Sequence, residues 1–132
     1  HTGGTYRFNS SQIRISRDNR DLLELAKVFN PRYIVYAKHR EKSFRQAASA
    51  AGKKVLLFEG GKSQDFNKRI INRGVKGTMR IMQHLGIRDF STELEETNFS
   101  PPVIIKESTW VRARQGGLFW FFVKDGAQVE KG

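Results

Sequence analysis

Between Asp18 and Leu85, helical and strand patterns alternate over short distances, and this constrains the fold more than any other feature of the 132 residues. Two short runs, Tyr33–Ala37 and Val55–Phe58, are apolar throughout, as in strands that are buried on both faces. Three neighbouring segments carry apolar residues at helical spacing, which predicts helices over 18–29, 43–51 and 65–85. Short helices and buried strands in alternation predict an α/β layer.

The predicted helices have residues at their ends that favour starting or stopping there. Asp18 or Asn19 can cap the first helix, and Ser43 can cap the second, because their side chains accept bonds from free amides of the first turn. Gly52 and Gly86 are typical helix stops. Residues 1–16, in contrast, are interpreted as the end of a strand followed by an irregular loop.

The sequence changes character after residue 88. Residues 89–102 are acidic and polar and end in two prolines, which indicates a linker between residues 1–88 and residues 103–132. Beyond it, short strand patterns and an Asp-Gly turn at Asp125 predict a small all-β module, similar to biotinyl or lipoyl domains and expected to be incomplete. The strands are predicted over 103–106, 110–113, 118–123 and 127–129.

The net charge of +11, from 24 basic and 13 acidic residues, raises the question of an anionic partner. Nucleic acid, an anionic membrane and an anionic small substrate are open, as is an ordinary enzyme with a basic surface. Basic residues are scattered and stand beside acids, which favours solvated surfaces, so nucleic-acid binding is not expected. No apolar run approaches the roughly 20 residues that span a bilayer. We expect a cytoplasmic location and no membrane partner; the sequence does not predict an oligomeric state.

Glu59 is the first candidate catalytic residue. It stands in LLFEGG, directly after the predicted strand Val55–Phe58 and before Gly60 and Gly61. Carboxyl ends of strands present functional groups in open α/β sheets, and the glycines allow a bend and leave room for a substrate. The alternative is that Glu59 forms an ion pair with a nearby base or caps a helix.

His1, in His-Thr-Gly-Gly, is the candidate metal ligand, because a neutral imidazole at a strand end can bind zinc. The alternative is an exposed histidine without a metal. His39 lies in a charged loop and is expected to be solvated, whereas His84 is expected to interact with the dipole at the end of its helix. The chain has neither HExxH nor HxxE, so it does not contain a complete zinc motif.

Two further patterns are weaker. Gly60–Ser63 resembles the end of a phosphate-binding loop but lacks the first glycine, so a nucleotide site is rejected. The run Phe119–Phe122 is either a platform for stacked bases or, more in keeping with its alternation, part of a small β core. Lys124 and Lys131 do not stand in a carrier-lysine motif, and no swinging arm is predicted.

Four segments in this order and spacing resemble the succinylglutamate desuccinylase/aspartoacylase family: HTGG, the strand Tyr33–Ala37, LLFEGG, and WVRARQGGLF followed by KDGAQVEKG. The resemblance covers essentially the whole chain. It implies a fold related to zinc carboxypeptidases and an enzyme that cleaves the amide bond of an N-acylated amino acid or similar small amide, using one zinc ion.

The resemblance also implies roles for individual residues. His1 matches a zinc-binding histidine, and Glu59 matches the glutamate that acts first as general base and then as general acid on a zinc-activated water. Arg7 and Asn9 border such a site, and we expect them to hold the carboxylate of the substrate. The family's other zinc motif and its Asn-Arg segment are absent and are expected upstream of His1, so the chain is expected to be inactive alone.

The sequence also leaves a different class of function open. The chain is alternatively a basic, non-catalytic module that binds nucleic acid or a protein partner through its charge. A steep loss of nucleic-acid binding with salt would support that alternative.

Overall fold

The computed structural model describes residues 8–17, 19–94, 100–118, 120, 122–123 and 126–131. Within these ranges the chain is a mixed α/β structure with one four-stranded sheet and three helices. The elements are β1 (Asn9–Ile15), α1 (Arg20–Phe29), β2 (Tyr33–Tyr36), α2 (Phe44–Ala50), β3 (Leu57–Gly61), α3 (Lys68–His84) and β4 (Val103–Ile105).

The strands follow the order β3-β1-β2-β4 across the sheet. β1, β2 and β4 are parallel, whereas β3 runs antiparallel to β1 at one edge. The predicted α/β layer is therefore confirmed. The antiparallel edge strand has a consequence for the site, because the end of β3 lies beside the beginning of β1: Gly61 is paired with Asn9.

Each helix begins at a polar cap residue. Asn19 accepts a bond from the amide of Leu22 at 3.1 Å and caps α1, and Ser43 in the same way caps α2. Asn67 caps α3, which therefore begins three residues later than predicted. Of the two caps proposed for α1, Asn19 is confirmed; Asp18 lies outside the described residues. These bonds satisfy backbone amides that the helix itself leaves without partners.

One side of the sheet, which we call the helix face, is covered by α1 and α3. Ile13, Ile15 and Ile34 of the two central strands lie on it with no exposed surface. They pack with Leu22, Ala26 and Phe29 of α1 in one cluster. Two glycines of α3 allow a close approach: a Cβ at Gly77 would lie 2.5 Å from the ring of Phe29, and Gly74 similarly contacts Phe58 of β3.

The central strand β1 was not predicted, and the interpretation of residues 1–16 as the end of a strand followed by an irregular loop was wrong for Asn9–Ile15. Its sequence, NSSQIRI, is mostly polar, yet Ser10 and Ser11 are buried. The hydroxyl of Ser11 accepts bonds from the backbone amide of Arg32 at 3.2 Å and the Arg73 guanidinium at 3.3 Å. These hydrogen bonds offset the cost of burying polar side chains in a strand.

The predicted all-β module is not seen among the described residues. Val103–Ile105 is a strand as expected, but it pairs with β2 and forms an edge of the α/β sheet. Of the remaining predicted strands, 110–113 and 127–129 are not strands, nor are the described residues of 118–123; Lys124, Asp125, Phe119 and Phe121 lie outside the described residues. The described helices include none that is long and apolar enough to cross a membrane.

Candidate functional site

Glu59 lies inside β3, not directly after a strand as the sequence indicated. The strand begins at Leu57 and continues through both glycines to Gly61, because the pairing with β1 continues that far. Glu59 is opposite Gln12 in this pairing. Its side chain consequently points to the same side of the sheet as Gln12, away from Phe58, which packs against Phe29 on the helix face.

The side of the sheet that bears Glu59, which we call the Glu59 face, is different in chemistry from the helix face. Gln12 and Arg14 of β1 and Tyr33 of β2 lie on it, as the strand registers require. Neither α1 nor α3 packs there, and α2 buries none of its residues. Charged and polar side chains on this face therefore meet no helical core.

The Glu59 carboxylate is held by two neighbours on β1. The Nε of Arg14 lies 2.5 Å from Oε2 but is not aligned as a hydrogen bond, so this contact is an ion pair. The amide of Gln12 donates to the same Oε2 at 3.3 Å. The Glu59 side chain is 20% exposed. Both of these contacts end on Oε2.

Arg45 is a residue near Glu59 that the sequence analysis missed. It lies in the first turn of α2, and its guanidinium donates to the carbonyls of Lys38 at 2.6 Å and Ala37 at 3.5 Å, just after β2. Burial, and then the positive charge of Arg14, lower the pKa of Arg45, whereas the Glu59 carboxylate raises it. Its Nη1 is buried without a hydrogen-bond partner. The sequence signal was the cap Ser43, which begins the next helix after the strand Tyr33–Tyr36.

The two glycines after Glu59 have separate roles. Gly60 is buried, and a Cβ there would lie 2.8 Å from the side chain of Ile70, so this glycine permits α3 to approach β3 and does not make room for a substrate. Gly61 has a φ of 76° with open space around it, and it supplies the bend that the sequence predicted.

Among the other predicted site residues, Asn9 lies at the start of β1, paired with Gly61 and therefore near the same end of the sheet as Glu59. His1 and Arg7 lie outside the described residues, and their roles stay predictions. His39 follows β2, beside Arg17 and Lys38, and His84 is exposed at the end of α3. The described residues contain no group of three or more side chains that could together bind a metal ion.

Neither a protein-family model nor a curated protein matches this sequence. Solved structures do match it. The apo ectoine utilization protein EutE from Ruegeria pomeroyi superimposes with a TM-score of 0.65 at 19% identity, over 83% of this chain and 35% of that protein. A succinylglutamate desuccinylase/aspartoacylase from Rhodobacter sphaeroides gives 0.59 at 16% identity, over 76% and 31%. A succinylglutamate desuccinylase from a Silicibacter species gives 0.56 at 20% identity, over 72% and 29%.

These likenesses concern the fold. The chain spans about a third of the length of the solved structures that it matches. Two of the three are described as succinylglutamate desuccinylases, the group to which HTGG, LLFEGG and the other segments pointed. The resemblance drawn from the sequence is thereby confirmed at the level of structure: the described chain has the fold of one part of a succinylglutamate desuccinylase/aspartoacylase.

Proposed function

We propose that this chain is part of a zinc-dependent hydrolase that cleaves the amide bond of an N-acylated amino acid or a similar small amide. Glu59 is the general base and then the general acid. The fold likeness to hydrolases of this kind supports the proposal and favours it over a basic binding module.

The observation that carries the proposal is the arrangement of the Glu59 carboxylate. Arg14 and Gln12 fix Oε2 from one side. Oε1 remains able to accept the proton of a water and return it to the leaving amine, which are the two transfers that amide hydrolysis requires.

Zinc enters the proposal through His1 as one ligand. Zinc bound at such a site lowers the pKa of a water and polarises the amide carbonyl. The described residues do not form a zinc site by themselves, so no further ligand is assigned to them. What this part of the chain contributes is the carboxylate for proton transfer and the positive groups around it.

The positive groups favour a substrate with a carboxylate. Arg45 lies near enough to Glu59 for the two charges to interact. A guanidinium binds a carboxylate through paired, charge-assisted bonds. We therefore add Arg45 to Arg7 and Asn9 as residues that hold the carboxylate of the substrate.

The test is Glu59→Gln in the full-length protein, supplied with zinc and assayed on a panel of N-acyl amino acids. The amide keeps the shape and the contact with Gln12 but does not accept a proton in the same way. We expect turnover to fall by about 10²–10⁴-fold, with zinc content and fold unchanged. The matched control is Glu24→Gln, on α1, whose ion pair with Lys27 is exposed. Retained turnover in Glu59→Gln would refute the assignment.

A further inference from the structure

A pocket of about 440 Å³ lies at the end of the sheet where β1 and β2 finish. Its lining comes from the last residue of β2 and from the segments that follow the two strands. The lining residues are Ser16, Arg17, Tyr36, Ala37, Lys38 and His39. The pocket therefore lies between the connection from β1 to α1 and the connection from β2 to α2, and Glu59 is not part of its lining.

The two connections leave neighbouring parallel strands toward opposite faces of the sheet. The strands stay together up to the pocket, where the amide of Ala37 donates to the carbonyl of Ile15 at 2.9 Å. From there α1 packs on the helix face. Arg45, in the first turn of α2, instead lies close enough to Arg14 and Glu59 of the other face for their charges to interact. Connections that diverge in this way leave a crevice at the carboxyl ends of the strands, which is the usual ligand position in open α/β sheets.

The pocket is lined by basic side chains and by no carboxylate. Arg17, Lys38 and His39 supply the basic groups. The side chains of Lys38 and His39 form no hydrogen bond or ion pair with the residues that the structure describes, and Arg17 is bonded there only to a neutral backbone carbonyl. Since an imidazole offers an N–H in either protonation state, all three side chains have a donor for an anion.

Arg17 is positioned before any ligand arrives. Its Nη2 donates to the carbonyl of Lys106 at 2.7 Å, just after β4. A neutral carbonyl does not cancel the charge of the guanidinium, which has further N–H groups for a ligand. A guanidinium held in this way loses less conformational entropy on binding. Tyr36, which packs against the core cluster, gives the pocket a firm wall.

We propose that this pocket binds a phosphate group, either as inorganic phosphate or carried by a compact small molecule. Three basic side chains suit a group with several acceptor oxygens and more than one negative charge, whereas one guanidinium is enough for a single carboxylate. The volume is at the lower end of the range for small-molecule sites, so the ligand is compact. The inference does not depend on the hydrolase function proposed above, because Glu59 does not line the pocket.

The experiment measures phosphate binding to the full-length protein by calorimetry. Inorganic phosphate and glycerol 1-phosphate are the probes, and acetate is the carboxylate for comparison. Lys38→Met removes no hydrogen bond or ion pair between described residues, and we expect it to weaken phosphate binding about 10-fold. Arg17→Met should weaken it by roughly 10–100-fold, as the loss of charge-assisted bonds implies. Tighter binding of glycerol 1-phosphate would identify a phosphate monoester as the ligand, and tighter binding of inorganic phosphate would identify the free ion.

Lys42→Met is the matched control, because Lys42 is exposed in the same loop but does not line the pocket. It should change the affinity for phosphate by about twofold or less. Equal weakening by Lys42→Met and Lys38→Met would mean general attraction to a basic surface and would overturn the inference. Affinities unchanged by both Lys38→Met and Arg17→Met, as for phosphate bound to zinc, would overturn it too, as would no binding of phosphate by the wild type.

Two further results separate this site from the proposed reaction. Acetate that binds as tightly as phosphate, with the same dependence on Lys38, would contradict the assignment to phosphate. Displacement of the Lys38-dependent phosphate by N-acetyl-L-glutamate would make the pocket part of the substrate site and refute its independence from Glu59. A wild type that binds phosphate through Lys38 but hydrolyses no N-acyl amino acid would refute the proposed function and leave the phosphate site standing.

Discussion

The two faces of the sheet are built from the same strands but differ in the side chains that they carry. On the helix face, Ile13, Ile15 and Ile34 have no exposed surface and are packed under α1 and α3. On the Glu59 face, the same two strands present Gln12, Arg14 and Tyr33. A strand alternates its side chains, so one β1 sequence serves a core and a candidate active site at once.

The difference teaches where stability and function reside in this chain. Burial of apolar side chains on the helix face supplies the main favourable term in folding. The ion pair on the Glu59 face contributes little to stability, because Arg14 is 40% exposed and pairs of this kind are worth about 0–1 kcal/mol. Truncation of the buried apolar residues of the helix face should therefore unfold the protein, and changes to the polar residues around Glu59 should disable it while it stays folded.

The largest effect on stability is expected from Ile34→Ala. Ile34 is fully buried in the helix-face cluster, and truncation of such a residue costs about 2–5 kcal/mol through lost burial and a cavity. The matched change on the other face is Val103→Ala, since Val103 is 57% exposed and should cost well under half as much. Denaturant unfolding of the full-length protein measures both. Equal losses would show that the Glu59 face is as much a core as the helix face.

Arg45→Met should weaken substrate binding more than it weakens the fold. With the guanidinium removed, the carboxylate of the substrate loses charge-assisted bonds worth about 1.5–3 kcal/mol, so we expect KM to rise roughly 10–100-fold. The free energy of unfolding should fall less than for Ile34→Ala, because Arg45 loses its bonds to the Lys38 and Ala37 carbonyls but α2 buries no residues. Steady-state kinetics and thermal unfolding of the same preparation test both halves. A stability loss as large as that of Ile34→Ala, with KM unchanged, would make Arg45 a structural residue.

The sequence predicted the helix face better than the Glu59 face, because the signals for the helices lie within single segments whereas the Glu59 face depends on contacts between distant segments. α1 follows from Leu22, Ala26 and Phe29 at helical spacing, with Asn19 as its cap, which are signals within one segment. β1 has only a short signal of this kind, Ile13 and Ile15 in alternation, because the burial of Ser11 depends on Arg32 and Arg73, which are distant in sequence. Continuous apolar runs do not predict a mostly polar central strand of this kind.

The candidate site shows the same limit. Glu59 was found through its glycines and the resemblance, and Asn9 through its place after HTGG. Gln12 and Arg14 were not found, because they meet Glu59 only through the register between β1 and β3, and a shift of one residue would move them to the other face. β4 was predicted as a strand but assigned to the wrong sheet, since three apolar residues do not specify which strand they pair with.

The smallest effect is expected at the rim of the helix face, where Lys54 donates to Asp21 at 2.7 Å. The hydrogen bond and the charge of Lys54 lower the pKa of the Asp21 carboxyl. A lowered pKa in the folded state gives stability that is present above the ordinary pKa of aspartate and is lost as pH falls through the lowered value. Lys54→Met should return the Asp21 pKa toward its ordinary value and flatten the dependence of unfolding free energy on pH in that acid range.

Carboxyl NMR titration of the full-length protein detects the change in the Asp21 pKa. The control is Lys53→Met, because Lys53 is an exposed neighbour. Because both partners are mostly exposed, turnover should not respond; a change in kcat with Lys54→Met would mean that the two faces are coupled and that their separation is incomplete.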